Sequence, residues 1–351
     1  MTQESKVHIL MKNDVSYLGI DIGGANLKVI GINADKQVVH VDYSSCKIWN
    51  SQNFLEKKLL ELNALKAPNK IRCGITMSAE LCDCFKDREA GAKQILKSCE
   101  NLVFDYFFYS KSRNLFLKKD SYKNIISMNW HSIGRFLKKI IKNAIIIDFG
   151  STTTDFIVIK NGKILNKNYD DFSRLNNHEL LYTGFTRTPI FGICQQLKIQ
   201  GKLLSIIPEF FSDTADIYKV IGQLDPKIDI DTTADGLNRS YSSSLRRISR
   251  SFGFDYNNNH KLLIKKICLE LSLIQISKIY MNLMQIQKKF SAQNFPIIIS
   301  GVGQKVINDF FKKNGLKTIK FEKFLKPSKM NKEASAHAPA TSIALLMGDL
   351  K

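Results

Sequence analysis

Apolar residues along this chain gather into short blocks separated by small or polar turns, and one arrangement of blocks occurs twice. Residues 17–43 read YLGIDIGGANLKVIGINADKQVVHVDY, and residues 144–169 read AIIIDFGSTTTDFIVIKNGKILNKNY. Each copy carries an apolar strand ending in aspartate, a small-residue turn, a second apolar strand, a polar turn and a third strand. The middle turn centres on Asn33-Ala34-Asp35 in the first copy and on Asn161-Gly162 in the second, a pair that strongly favours a tight hairpin. Asp21-Ile22-Gly23-Gly24 thereby aligns with Asp148-Phe149-Gly150-Ser151. A repeat of this kind predicts two similarly folded halves.

The remaining segments predict α/β layering. Asn53 is placed to cap a helix over 54–66, with Glu56 in the capping-box position. Residues 70–77 (KIRCGITM) predict a buried strand, 88–99 a helix and 102–109 another strand. A helix over 131–142 leads into the second copy, and 261–290 predicts one long, largely apolar helix or two in succession. Residues 295–300 (FPIIIS) predict a strand running into Gly301-Val302-Gly303, and the apolar stretch 339–349 predicts a closing helix. Residues 222–242 lack periodicity and predict a long loop. The expected division is a first half over 14–143 and a second over 144–351, the latter with a helical and loop insertion and the closing helix.

Composition changes this picture little. At 351 residues the chain is long enough for two cores. No apolar run approaches the ~18 residues of a membrane span, and residues 1–16 lack the continuous apolar core and cleavage site of a secretory signal. Seven scattered cysteines, an odd number, fit reduced thiols. Together these features predict a cytoplasmic protein with no membrane partner. Cys82 and Cys84 form a C-x-C, but the six histidines show no paired spacing to complete a metal site. The formal charge of +20 comes with lysine, isoleucine and asparagine abundant along the whole chain. No dense basic run interleaved with aromatics occurs, so the expectation is no nucleic-acid partner and, at most, a locally positive cleft for a small anion.

The candidate chemistry lies in the two aligned turns. Loop one offers Asp21, Gly23, Gly24, Asn26 and Lys28. Glycines leave backbone N–H groups free to face a phosphate, and Lys28 can reach it as a point charge. Asp21 suits a hydrated Mg²⁺; the plainer alternative is a carboxylate capping a tight turn. Loop two offers Asp148, Gly150, Ser151, Thr152, Thr153, Thr154 and Asp155. Its hydroxyls and amides can donate to phosphate, and its carboxylates can hold metal-bound water, with Asp148 as second metal candidate, or act as a base; the plainer alternative is a threonine-rich β-turn. Two such loops at one place in a repeat make the functional reading the better one.

Together the loops resemble the paired phosphate motifs of the actin-like, sugar-kinase-like and Hsp70-like superfold, an α/β fold of two ribonuclease H-like halves around a central cleft. Loop two and the segment ELLYTGFTRTP (179–189) resemble its hydantoinase A/oxoprolinase branch. TMSAELCDCF (76–85), EFFSDTADIY (209–218), TADG (233–236) and RRISR (246–250) follow the order found in proteins of the tetrahydromethanopterin-linked C1 transfer pathway. The resemblance spans roughly residues 16–345. It implies a transferase of methanofuran or methylofuran assembly, joining an aminomethylfuran-methyl diphosphate to the phenol of γ-glutamyltyramine with release of diphosphate. Mg²⁺ is then the expected cofactor and ATP is not required. The general base is one of Asp148, Asp155, Glu80 and Asp83. Arg187 is a candidate bidentate anchor for diphosphate or carboxylate, the plainer alternative being a surface arginine before a proline-fixed turn. Tyr182, Thr183, Gly184, Thr188, Asp216 and Asp235 are candidates for substrate contact, with core packing the alternative for Tyr182 and turn or cap roles for the two aspartates. Gly301 and Gly303 stand where ATP users of the superfold carry a glycine pair, but here Val302 separates them, which makes the nucleotide signal weaker than the phosphate signal. Two other classes stay open: an ATP-dependent kinase or hydantoinase/oxoprolinase-type amide hydrolase, and a non-catalytic nucleotide-binding assembly protein.

Overall fold

The computed structural model describes residues 15–50, 53–63, 71–112, 115–118 and 120–350. The N-terminal stretch read for a signal, and the ends of the expected segments at 64–66 and 70, lie outside the described residues. Two compact units emerge: Met1–Asn129 with Leu325–Ala334 and Pro339–Lys351, and Trp130–Phe324 with Ser335–Ala338.

The first unit is built on a six-stranded sheet. Its strands are β1 (Tyr17–Ile22), β2 (Asn26–Ile32), β3 (Val38–Ser45), β4 (Arg72–Met77), β5 (Asp105–Tyr109) and β6 (Phe116–Leu117), in the order β3-β2-β1-β4-β5-β6. β1 runs antiparallel to β2 and parallel to β4. Leu18, Ile20 and Ile22 alternate onto one face and join Cys73, Ile75 and Met77 in a core with Leu55 and Leu59 of α1 (Asn53–Leu62) and Ile95 of α2 (Arg88–Cys99). Asn53 is the first helical residue of α1 rather than its cap, and α2 matches its expected span. The short α3 (Tyr122–Ile125) closes this half, and α4 (Asn129–Leu137) carries the chain into the second unit.

The second unit repeats the plan. Its main sheet holds β7 (Ala144–Phe149), β8 (Thr154–Lys160), β9 (Lys163–Ile164), β10 (Leu180–Leu181), β13 (Ile297–Ser300) and β14 (Thr318–Lys320), in the order β10-β8-β7-β13-β14 with β9 also on β8. β7 runs antiparallel to β8 and parallel to β13, as β1 does to β2 and β4. The duplicated meander is therefore real, and both main sheets are built on one strand plan. Asn161 and Gly162, at φ of 52° and 72°, make the expected two-residue hairpin. The third strand of this copy shrinks to two residues for a local reason. Asn166 accepts from the Val158 amide at 2.8 Å and donates to the Phe156 carbonyl at 2.9 Å, so a side chain takes over the ladder.

Ile145, Ile147 and Phe149 pack with α8 (Lys261–Phe290) and α9 (Gln304–Lys313) in one core. α8 is one helix, not two. The insertion forms a second core from β11 (Gln196–Ile199), β12 (Lys202–Ser205), α6 (Thr214–Val220), α7 (Tyr241–Ser251) and the first half of α8. A short α5 (Asp171–Asn176) precedes β10. Between Val220 and Tyr241 the chain has neither helix nor strand, as expected.

The closing segment departs from the expected division. Beyond α10 (Asn331–Ala336), α11 (Ala338–Met347) lies, from Pro339 on, in the first unit. A Cβ at Gly19 would stand 2.0 Å from the Ala340 carbonyl oxygen, and one at Gly74 would stand 2.6 Å from Ile343. Gly19 and Gly74 are register partners on β1 and β4, so two missing side chains make the seat that draws this helix in. Among the described residues no helix is long and apolar enough to cross a membrane.

Candidate active site

Loop one is the hairpin turn between β1 and β2, closed by the Gly23 amide donating to the Asn26 carbonyl at 3.1 Å. Antiparallel register sets Lys28 beside Asp21, and its ammonium lies 3.1 Å from Asp21 Oδ2. Parallel register sets Thr76 on the other side of Asp21. Both Asp21 Oδ1 and Thr76 Oγ1 are buried with no hydrogen-bond partner among the described residues. Asn26 donates to the Tyr43 hydroxyl at 3.0 Å. A Cβ at Gly24 would fall 2.5 Å from Cys82 Sγ, which places the C-x-C segment directly against this loop. Glu80 is buried and accepts a short hydrogen bond from Ser127, whereas Asp83 is exposed. Neither geometry favours a proton-transfer role.

Loop two is a tighter construction. The Gly150 amide donates to the Thr153 carbonyl at 2.9 Å, leaving Ser151 and Thr152 at the tip. Thr154 is fully buried and donates to the Thr183 carbonyl at 2.7 Å, so its hydroxyl holds the structure and does not face a ligand. The segment 184–187 is strapped onto the loop. Phe185 N–H donates to Gly150 O at 2.9 Å, and the amides of Thr186 and Arg187 both donate to Ser151 O, at 3.1 and 3.0 Å. A Cβ at Gly184 would stand 2.2 Å from Ser151 O, so only glycine admits this backbone-on-backbone contact. The strapping carries the Arg187 guanidinium to the loop tip, where Nη1 donates to Thr152 Oγ1 at 3.4 Å.

The two acids of loop two differ. Asp148 accepts from Ser300 Oγ at 2.6 Å across the β7–β13 register. Asp155, its register partner on β8, is ion-paired to Arg174 Nη1 at 2.8 Å. Arg174 is 2% exposed, donates to the Glu179 carbonyl at 3.0 Å and lies 4.1 Å over the Trp130 ring. Asp155 thus serves a buried ion pair.

The other candidates scatter. Tyr182 is exposed, while Thr183 accepts from Gln275 at 2.9 Å and Thr188 accepts from the Gly184 amide at 2.8 Å. Asp216 is wholly buried and bound by Arg247 and Arg239, and Asp235 is bound by Arg247 at 3.0 Å. Both are engaged in the insertion's ion network. A Cβ at Gly301 would lie 2.3 Å from Phe149 O and one at Gly303 would lie 2.1 Å from the Phe149 ring, so these glycines make room for the end of β7. Sequence reasoning missed Arg174, Ser300 and Arg239 as partners. None carries a local signal, because each is recruited across 10 to 152 positions of chain.

Asp21 in the first unit and Asp148 in the second each offer hard carboxylate oxygen, the donor type a Mg²⁺ ion takes. Among the described residues no group of three or more His, Cys, Asp or Glu is arranged to hold a metal, so such an ion would keep water or phosphate oxygens for most of its shell.

A strapped, hydroxyl-rich loop after an acidic strand end, set in a duplicated α/β plan, defines the class: the hydantoinase/oxoprolinase family profile matches residues 73–327, and the chain belongs to that family. Within it, the chain is 28% identical over 340 residues to the (4-{4-[2-(γ-L-glutamylamino)ethyl]phenoxymethyl}furan-2-yl)methanamine synthase of Methanocaldococcus jannaschii, covering 95% of this chain and 98% of that one. The enzyme of the same name from Methanococcus vannielii is 30% identical over 210 residues, 60% of this chain and 93% of that one. Among solved structures, nucleotide-free acetone carboxylase shares the fold at a TM-score of 0.53 and 11% identity, over 94% of this chain and 70% of that one.

Proposed function

We propose that the protein is a transferase of methanofuran-type cofactor assembly, condensing an aminomethylfuran-methyl diphosphate with the phenol of γ-glutamyltyramine. The observation that carries this reading is the match to the named synthase along nearly its whole length. In the reaction the furfuryl C–O bond breaks and its electron pair leaves with diphosphate. The phenol oxygen forms the new C–O bond and its proton passes to a carboxylate. Positive charge at the furfuryl carbon spreads into the furan, so the demanding task is to stabilise the leaving diphosphate.

We assign that task to loop two. Ser151 and Thr152 are donors at its tip, and Arg187 is a fixed guanidinium beside them. Asp148, at the end of β7 beside loop two and oriented by the Ser300 hydroxyl, is the acid we assign to the phenol proton. Asp21, flanked by Lys28 and Thr76, is the carboxylate of the first unit that would hold a hydrated Mg²⁺, and the ion would supply charge neutralisation to a phosphorylated ligand. The site for these reactants implies neither nucleic acid nor a membrane as partner.

The test is mass spectrometry of products after incubation with the furan diphosphate, γ-glutamyltyramine and Mg²⁺. The coupled ether with one equivalent of diphosphate is expected. Absence of the ether under these conditions removes the reading. The family profile favours one further reaction, ATP-driven amide hydrolysis, and ATP turnover on a lactam without ether formation would establish it instead.

A further inference from the structure

We propose that Arg239 is a positioning residue for loop two, acting through the irregular strap 225–239. The inference rests on loop two being the ligand loop assigned above. The strap has no helix or strand, yet it is pinned at three places. Arg239 gathers three carboxylates on one guanidinium: Asp213 at 2.7 and 3.2 Å, Asp216 at 3.1 Å and Asp229 at 2.8 Å. Arg247 binds Asp216 at 2.8 Å and strap residue Asp235 at 3.0 Å. Asp231 accepts from Thr186 Oγ1 at 3.0 Å, one residue before Arg187.

The connection to loop two is continuous. Asp213 caps α6 in a reciprocal capping box with Asp216. The next residue, Thr214, donates its amide to Thr188 O at 2.9 Å and its hydroxyl to Gly184 O at 3.0 Å. The Ala215 amide donates to Thr186 O at 3.3 Å. Of these, Thr186 is itself hydrogen-bonded to Ser151 and Gly184 packs closely on Ser151 O, and Phe185 and Arg187 between them are bonded to Gly150 and Ser151. Arg239 therefore orients the cap, the cap orients 184–188, and that segment sets both the loop tip and the Arg187 head. Three of the sequence segments noted at the outset, 209–218, 233–236 and 246–250, converge on this single network.

Burial, then Asp216 beside it, push the Asp213 carboxyl up, while Arg239 and the Asp216 amide oppose this. From the other elements packed here, Arg247 and Asp235 face the same cluster and Asp229 completes it. A lysine at 239 keeps one charge but cannot hold three carboxylates at once.

The experiment uses the full chain with Arg239→Lys and, as a variant that leaves the buried charges intact, Thr186→Val. Amide hydrogen exchange should quicken at least tenfold at 150–154 and 184–188 in both variants, with the core amides 276–286 of α8 unchanged. The dissociation constant for inorganic diphosphate should rise at least tenfold. Unchanged exchange at loop two, loosening spread equally into α8, or unaltered diphosphate affinity in a loosened variant each overturns the proposal. If the wild-type chain itself does not bind diphosphate, the assignment of loop two as ligand loop falls, while the exchange comparison still decides whether Arg239 positions it.

Discussion

Asparagine at Asp155 and at Asp148 should have opposite consequences, although the two acids are register partners one strand apart. Asp155 faces Arg174 at 2.8 Å, with the arginine 2% exposed. Removing one partner of such a buried pair costs roughly 3–5 kcal/mol, because the other charge is left uncompensated. Arg174 keeps the Glu179 carbonyl and the Trp130 face, which places Asp155→Asn at the lower end, about 3 kcal/mol. With a urea m-value of about 3 kcal/mol/M, the midpoint should fall by about 1 M. Adding Arg174→Met should return part of that loss, since no lone charge then remains buried. Asp148→Asn, by contrast, keeps an oxygen to accept from Ser300 and should cost no more than about 1 kcal/mol. Its turnover in the ether-forming assay should drop more than tenfold, at least ~1.4 kcal/mol of transition-state stabilisation. Urea titrations and product formation on the same preparations decide the matter. An Asp155→Asn protein as stable as wild type but inactive, beside an active Asp148→Asn protein, would reverse the roles given to the two acids.

Three further perturbations follow from the same geometry. Burial, with Arg135, Lys138 and Arg174 adding to it, pushes His131 down to about 3 from 6.5, so the neutral ring is the folded form. Its contribution is complete above pH 6.5 and lost as the pH falls; by pH 5 the loss is about 2 kcal/mol, which an unfolding series should show for wild type but not for His131→Phe. Gly184→Ala forces a Cβ to within 2.2 Å of Ser151 O and should destabilise by about 2 kcal/mol or more, with diphosphate binding measured by calorimetry lost alongside. Lys28→Ala, which strips the ammonium from Asp21, should lower turnover more than tenfold, and a wild-type rate would remove loop one from the chemistry.

What the sequence disclosed were features enforced locally. The two meanders announced themselves because an isoleucine-rich strand, an acidic end and a small turn recur, and the sheet orders follow from that recurrence. The span of α2 was legible, and so was the extent of α8, though not whether one helix or two would fill it. The assignment of α11 was not, because its place depends on two glycines some 270 to 320 positions earlier that look unremarkable in a strand. Loop two was legible as a tight turn after an acidic strand end, yet the different partners of its two acids were hidden. Nothing in the run around Arg174 distinguishes a buried cation from one on a helix surface.

The same contrast explains why Asp216 and Asp235 looked like substrate contacts. An acid within a recognisable segment invites a catalytic role when its surroundings are unknown, yet full burial beside two guanidinium groups makes it costly for Asp216 to meet a ligand. The costly buried arrangement of Asp213 and Asp216 calls for a return that simple packing would supply more easily with apolar side chains. Holding a loop of small, intrinsically mobile residues in one geometry is such a return. An apolar substitute for Asp213 could fill the volume, but it would not hold the reciprocal cap that binds α6 to 184–188. On this argument the insertion serves the chemistry of loop two without touching the reacting atoms.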